Sequence, residues 1–191
     1  MTDSTKTLTP ETFVRNALDK DRWEHTQGVC SLASKLGRTY KIDPDPLRTA
    51  ALFHDNARSL PDERQYGLAK QFRGELDQTE ENTPALWHAP AGAQRMIDHF
   101  DYDRSNPAVQ AVAFHSTGAP DQGGCLKGLL IADFAEENRS FDEAEDVRSR
   151  IGSTSLNELA RCVLRHKLTY ILKEDKRVHP RTIKAYNQLC A

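Results

Sequence analysis

The chain has 191 residues, 38% of them hydrophobic and 28% charged, with a net charge of -2. That length supports one domain with a real core. The near-neutral charge argues against a general nucleic-acid or membrane-surface binder, while leaving room for a small anionic ligand held by local arginines or metal ions. No run is long and apolar enough to cross a bilayer, and the N-terminal residues lack a signal-peptide core. Cys30, Cys125, Cys162 and Cys190 are far apart, with no CxxC pair. They read as buried or incidental thiols of a cytoplasmic protein.

Three- and four-residue apolar spacing recurs from end to end, and alternating runs are nearly absent, so the expectation is all-α. A first helix is expected from about Thr9 to Leu18, with Pro10 at its first position. A second begins near Asp21 and carries His25, Val29, Leu32 and Leu36 on one stripe, so His25 points inward. Taken alone, His25 reads as a core histidine bonded to a backbone carbonyl. Pro44 opens a third helix with Leu47, Ala50, Ala51 and His54, expected to run to Ser59-Leu60 before Pro61. His54 and Asp55 lie about 100° apart on such a helix, so both face one point only if the stripe is broad. Arg58 is one turn further on, either a surface residue or at the same cavity mouth.

Residues 62–82 are polar, and read as one helix and a loose charged connection, a candidate lid. His88 follows Trp87 and precedes a helix with Ala93, Met96, Ile97 and Phe100 on one face. His99 is off that stripe and is excluded. Pro107 starts a helix in which Ala108, Val112 and His115 share a face, and Ser116-Thr117-Gly118 ends it. The next stripe is Leu126, Leu129, Leu130 and Asp133, followed by a polar exit, Glu136 to Arg139. Residues 141–150 read as a short solvated helix or loop. A long helix runs from Ser155 to Leu172, with His166 structural or exposed. A last helix opens at Pro180, where His179 is either its cap or part of a ligand cleft.

Each inward histidine is unremarkable by itself. Together, His25, His54, Asp55, His88, His115 and Asp133 interrupt the inward edges of five predicted helices. Burying so many ionisable groups without a shared partner costs several kcal/mol each. A metal centre satisfies all of them, and the absence of paired cysteines points to a hydrolytic N/O site.

The order His25, His54-Asp55, Asp133 resembles the HD superfamily of metal-dependent phosphohydrolases, and His88 and His115 resemble the ligands of a second metal in its binuclear branch. The flanking blocks WEHT, LFHDNARSLP, HAPAGA, HSTG, IADFAEENR and VHPRT are similar to those of the YqeK family, from about Arg22 to Leu189. That resemblance implies a single HD-domain helical bundle over 1–191, with a core at about 20–137 and helices in 155–190 packing on it. It also implies cleavage of diadenosine tetraphosphate at its centre to give two ADP, at a di-iron centre. Ligand chemistry alone equally admits manganese, cobalt, nickel or zinc.

Arg58 stands where the family usually has Lys, Ser59 where it has an acidic residue, Ala89 where it has Gly, and Ser116 where it has Thr. None of these removes a ligand, but Arg presents a planar fork in place of a point charge, so phosphate geometry is where specificity can differ. The expected mechanism has Asp55 bridging two cations that share a hydroxide, with water's pKa lowered from 15.7 to roughly 7. His25, His54 and Asp133 complete one metal, and His88 with His115 the other. Arg58 has a catalytic, charge-neutralising role, and Arg58, Ser116, Thr117, Arg139 and His179 are the expected substrate contacts. Alternatives are an HD phosphohydrolase acting on a nucleoside monophosphate or (p)ppGpp, a metal-containing nucleotide sensor with little turnover, and a purely helical interaction module. The expected partner is a small nucleotide, with no nucleic acid and no membrane, and a homodimer is compatible with the sequence.

Overall fold

A computed structural model describes residues 8–121 and 123–190. As the apolar spacing predicts, the chain is all-α, with no β-strand among the described residues. The helices start where the sequence supplies caps. Thr9 caps α1 (Pro10–Ala17), Asp19 caps α2 (Lys20–Tyr40) and Asp43 caps α3 (Pro44–Phe53), each side chain accepting a backbone N–H from the first turn. Next come α4 (Asp62–Arg73), the short α5 (Gln78–Glu81), a 3-10 turn over Pro84–Leu86, and α6 (His88–Phe100). They are followed by α7 (Pro107–Phe114), α8 (Gly124–Ala135) and α9 (Asp142–Ser149). A Ser155–Glu158 capping box opens α10 (Leu156–Lys173), and His179 caps α11 (Pro180–Gln188). No helix among the described residues is long and apolar enough to cross a membrane.

The centre of the bundle is α8. Leu126, Leu129, Leu130, Ile131 and Ala132 are buried around its circumference, the pattern of a helix enclosed on all sides. It packs on α2, α3, α7, α9 and α10, and α11 packs on α10. Asp133, in its last turn, is therefore carried into the middle of the molecule.

Two expected boundaries are corrected. The third helix does not run to Ser59-Leu60: α3 ends at Phe53, and 54–59 form successive tight turns, with Asn56 N–H bonded to Phe53 O and Arg58 N–H to Asp55 O. Leaving the helix there removes the 100° constraint, so His54 and Asp55 can face one point. Nor is 62–82 a loose lid. Here α4 lies along α6, Gln65, Ala69, Phe72 and Glu80 are buried, and an Asp77–Glu80 capping box sets α5.

Glu80 is the hub of a buried charge cluster. Its Oε1 is 3.2 Å from both Arg73 Nε and Arg181 Nη1, tying α5 to α4 and α11. Burial works against ionising this carboxyl, but the His179 ring and the two guanidiniums outweigh it and hold its pKa at about 2. Removing the carboxylate leaves two guanidiniums facing each other, so Glu80→Gln should cost about 3 kcal/mol in urea unfolding. Because the folded pKa is depressed, this contribution should be complete above the ordinary value of 4.5 and fade as pH falls toward about 2. Stability curves of wild type and variant should therefore converge in acid.

Candidate metal centre

Three histidines are held in the same way. His54 Nδ1 is 2.8 Å from Ala51 O, His88 Nδ1 is 2.9 Å from Ala85 O, and His115 Nδ1 is 2.8 Å from Val112 O. Each ring thus turns back on the carbonyl three residues earlier, at or just beyond the end of a helix or 3-10 turn, where that carbonyl lacks a helical partner. The carbonyls assign the proton to Nδ1 and leave Nε2 as a lone pair. His25, in α2, reaches the same state differently, with Nδ1 3.1 Å from Glu136 Oε1.

The four Nε2 atoms meet in two pairs. His25 Nε2 is 3.2 Å from His54 Nε2, and His88 Nε2 is 3.2 Å from His115 Nε2. Two lone pairs facing at that distance repel unless a cation lies against both. Cation–nitrogen bonds of about 2.0–2.1 Å put neighbouring ligand nitrogens about 3 Å apart, so the spacing fits. Asp55 stands between the pairs. Its Oδ2 is 3.6 Å from His54 Nε2, and its Oδ1 is 3.5 Å from His88 Nε2 and 3.9 Å from His115 Nε2. Asp133 Oδ1 closes the first group, 3.2 Å from His25 Nε2 and 3.9 Å from His54 Nε2. The six residues thus form two donor clusters, either of which could hold a metal ion, with one carboxylate oxygen of Asp55 directed to each.

Electrostatics agree with that arrangement. Burial pushes His88 down to about 3 and His115 to about 4, which keeps both rings neutral near pH 7 and unsuited to act as acids. Burial also lowers His25, but Asp133 and Glu136 outweigh it and raise its pKa. Burial opposes the ionisation of Asp55 and Asp133, yet the surrounding histidines hold both below the usual carboxylate range.

Arg58 Nη1 lies 3.2 Å from Ala85 O and 2.6 Å from His88 Nδ1. Donation to Nδ1 would move the His88 proton to Nε2, against the carbonyl contact shared by all three rings. We therefore read Arg58 and His88 as two donors converging on Ala85 O. Ser116 Oγ is 3.1 Å from His88 Nε2 and 3.3 Å from His115 Nε2, at the edge of the second pair. Arg139 Nη2 is 3.5 Å from Asp133 Oδ1.

The two remaining expected substrate contacts lie elsewhere. Thr117 is buried and its hydroxyl donates to Gly118 O. His179 Nδ1 accepts the Arg181 N–H, and its Nε2 is 2.9 Å from Asp77 Oδ2, so both ring nitrogens serve the α11 cap and the Glu80 cluster. His179 is a cap, not part of a cleft.

Three residues that the periodicity did not single out also bear on the site. Arg22 Nη1 is 3.1 Å from Asp55 Oδ2. Glu136, expected to be part of a polar exit, is 1% exposed and orients His25. Its position one turn after Asp133, on the same inward stripe, was the available signal. Lys167 Nζ donates to His115 O at 3.1 Å and lies 4.0 Å from Asp133 Oδ2. Burial lowers its pKa. Beside His25 a cavity of about 350 Å³ opens to solvent, lined by Arg22, Glu136, Asn138 and Arg139.

A profile of the HD domain family matches residues 22–163. A symmetrical bis(5'-nucleosyl)-tetraphosphatase of Halalkalibacterium halodurans is 31% identical over 93% of this chain and 93% of its own. The Bacillus subtilis enzyme of the same name is 30% identical over 92% of this chain and 93% of its own. A crystal structure described as a predicted HD superfamily hydrolase involved in NAD metabolism, from Clostridium acetobutylicum, superposes with a TM-score of 0.88 at 26% identity, covering 95% of both chains.

Gly28 tests the support of His25. A Cβ there would collide with Glu136 Oε2 and lie 3.0 Å from its Cδ, whereas one at Gly67 would meet nothing within 4 Å. Gly28→Ala should push Glu136 off His25 and weaken metal retention about tenfold or more. Gly67→Ala should leave retention unchanged, both read by titration with a competing chelator.

Proposed function

Because the chain belongs to the HD domain family, we propose that it is a metal-dependent phosphohydrolase that splits diadenosine tetraphosphate symmetrically into two ADP. One observation carries the metal-dependent part: two histidine pairs whose Nε2 atoms face each other at 3.2 Å, with the Asp55 carboxylate between them. The substrate follows from the relatives named symmetrical bis(5'-nucleosyl)-tetraphosphatase, which match nearly the whole chain.

In this reading His25, His54 and Asp133 would hold one cation, His88 and His115 the other, and Asp55 would contribute to both. Metal held there would supply a water-derived nucleophile at neutral pH and neutralise phosphoryl oxygens. Iron is our choice among N/O-binding metals, on the family resemblance. The chain itself supplies positioning and charge. Glu136 and the three backbone carbonyls keep the imidazoles in the liganding tautomer, so no ring reorganises when substrate arrives. Arg22 and Arg139 line the cavity beside His25, which supports a role for them in receiving phosphoryl oxygens. Arg58, beside His88 at the other pair, is assigned the same role on its charge. Ser116 Oγ adds a neutral donor there. With His88 and His115 held neutral, no side chain of the second group donates a proton. A leaving ADP needs little help, because its charge spreads over two phosphoryl groups and is met by the arginines.

Incubation with diadenosine tetraphosphate, followed by chromatography of the products, should give two ADP as the sole nucleotide product. ATP with AMP, or intact substrate after long incubation of metal-loaded protein, would exclude the assignment. Asp55→Ala should lose metal and turnover together. Arg58→Ala should keep its metals in elemental analysis while kcat/KM falls about a hundredfold.

A further inference from the structure

A second donor cluster lies away from the Asp55 centre, between α9 and α10. Asp146 belongs to α9, and Cys162 and His166 are four residues apart on α10, hence on one face of that helix. Asp146 Oδ2 is 3.9 Å from Cys162 Sγ and 3.8 Å from His166 Nε2, and all three donor atoms lie within 4.8 Å of one another. We propose that Asp146, Cys162 and His166 form a separate site for a zinc-class cation, its fourth position open to water.

A tetrahedral zinc ion with ordinary Zn–S, Zn–N and Zn–O lengths needs these atoms about 3.3–3.6 Å apart. The two distances from Asp146 Oδ2, 3.9 and 3.8 Å, exceed that by a few tenths of an ångström. Cys162 Sγ and His166 Nε2 lie within 4.8 Å of each other, so a small inward shift of the side chains closes the site. Independently of that spacing, His166 Nε2 is shielded from solvent and has no hydrogen-bond partner, the Asp146 carboxylate being 3.8 Å away. A buried polar atom without a partner calls for a ligand. Its ring is also fixed, stacked on Phe134 at 5.8 Å and 13°.

Two arginines reach the cluster. Arg150 donates through Nε and Nη2 to Asp146 Oδ1, at 3.0 and 2.8 Å, which leaves Oδ2 turned toward Cys162 and His166. Arg165 Nη2 is 3.7 Å from Cys162 Sγ, and a thiolate accepts one N–H and a cation together. The donor set, one sulfur, one imidazole and one carboxylate, suits zinc or cobalt and is poor for calcium or magnesium.

The cluster also has a position with consequences. Arg148 of α9 donates to Ala135 O and Glu136 O, at 3.1 and 2.9 Å, at the end of α8. A cation joining α9 to α10 would therefore brace the segment that presents Glu136 to His25. The site is a staple behind the catalytic centre and is independent of the reaction assigned to that centre.

Cobalt distinguishes the two sites, because only this one contains sulfur. Full-length protein saturated with Co²⁺ should show a thiolate-to-cobalt charge-transfer band in the near ultraviolet. Cys162→Ser, nearly isosteric, should abolish the band and lower bound cobalt by one ion per chain, while Cys190→Ser should leave both unchanged. His166→Gln, on a half-buried side chain, should raise the cobalt concentration for half-maximal band intensity at least tenfold. A wild-type protein without the band, or a band that persists in Cys162→Ser or titrates unchanged in His166→Gln, would overturn the proposal.

Discussion

The anchoring of each histidine Nδ1, by a backbone carbonyl in three rings and by the Glu136 carboxylate at His25, is the interaction on which the site depends. In three of the four rings the acceptor is the carbonyl three residues back, at 2.8 or 2.9 Å. Such a carbonyl is available only where a helix or 3-10 turn is ending, because elsewhere it is bonded to the next turn. The site therefore needs chain segments that stop at the right place: α3 at Phe53, the 3-10 turn at Leu86 and α7 at Phe114. Pro61 and Gly118, just beyond two of these ends, suit chain that does not continue as helix; Gly118 takes φ +69°. The tautomer follows from the bond, and the facing Nε2 pairs follow from the tautomer.

The rest of the bundle serves this arrangement. The enclosed helix α8 delivers Asp133 and Glu136 from the core, where neither can drift into solvent. Lys167, from α10, holds the carbonyl of His115 and lies near Asp133, so one half-buried ammonium joins the two halves of the centre. Arg22, on α2 with His25, meets the Asp55 carboxylate directly. These groups are costly to bury singly and tolerable only as a set, which explains why so much charge sits in the middle of a small helical protein.

Much of this was legible in the sequence. Period-3.6 spacing and proline and Asp/Thr caps give the helices to within a few residues, and the six His and Asp interruptions that the structure brings together are the ones the pattern picks out. The failures have physical causes. A helix running through Asp55 is the natural reading of AALFHDNARSLP, because nothing local requires the chain to leave the helix at Phe53; the carbonyl-bound imidazole and the turns after it do. His179 beside Pro180 looks alike as a cap or as a cleft residue until Asp77 and Arg181 are seen to take both nitrogens. Glu136 reads as solvated because its neighbours Glu137 and Asn138 are exposed. Lys167 is invisible to any search for apolar stripes, although it falls one turn beyond Val163 and Leu164 on the same face. Long-range pairings of this kind are set by packing, and no local signal carries them.

The central claim is that Asp55 stands between two cations, each bound through Nε2 atoms. Anomalous diffraction from crystals of the metal-loaded protein tests it directly. The account predicts two anomalous peaks flanking the Asp55 carboxylate, one against His25, His54 and Asp133 and the other against His88 and His115, with every histidine bonded through Nε2. A single peak at that carboxylate, or metal bound through Nδ1, would contradict it.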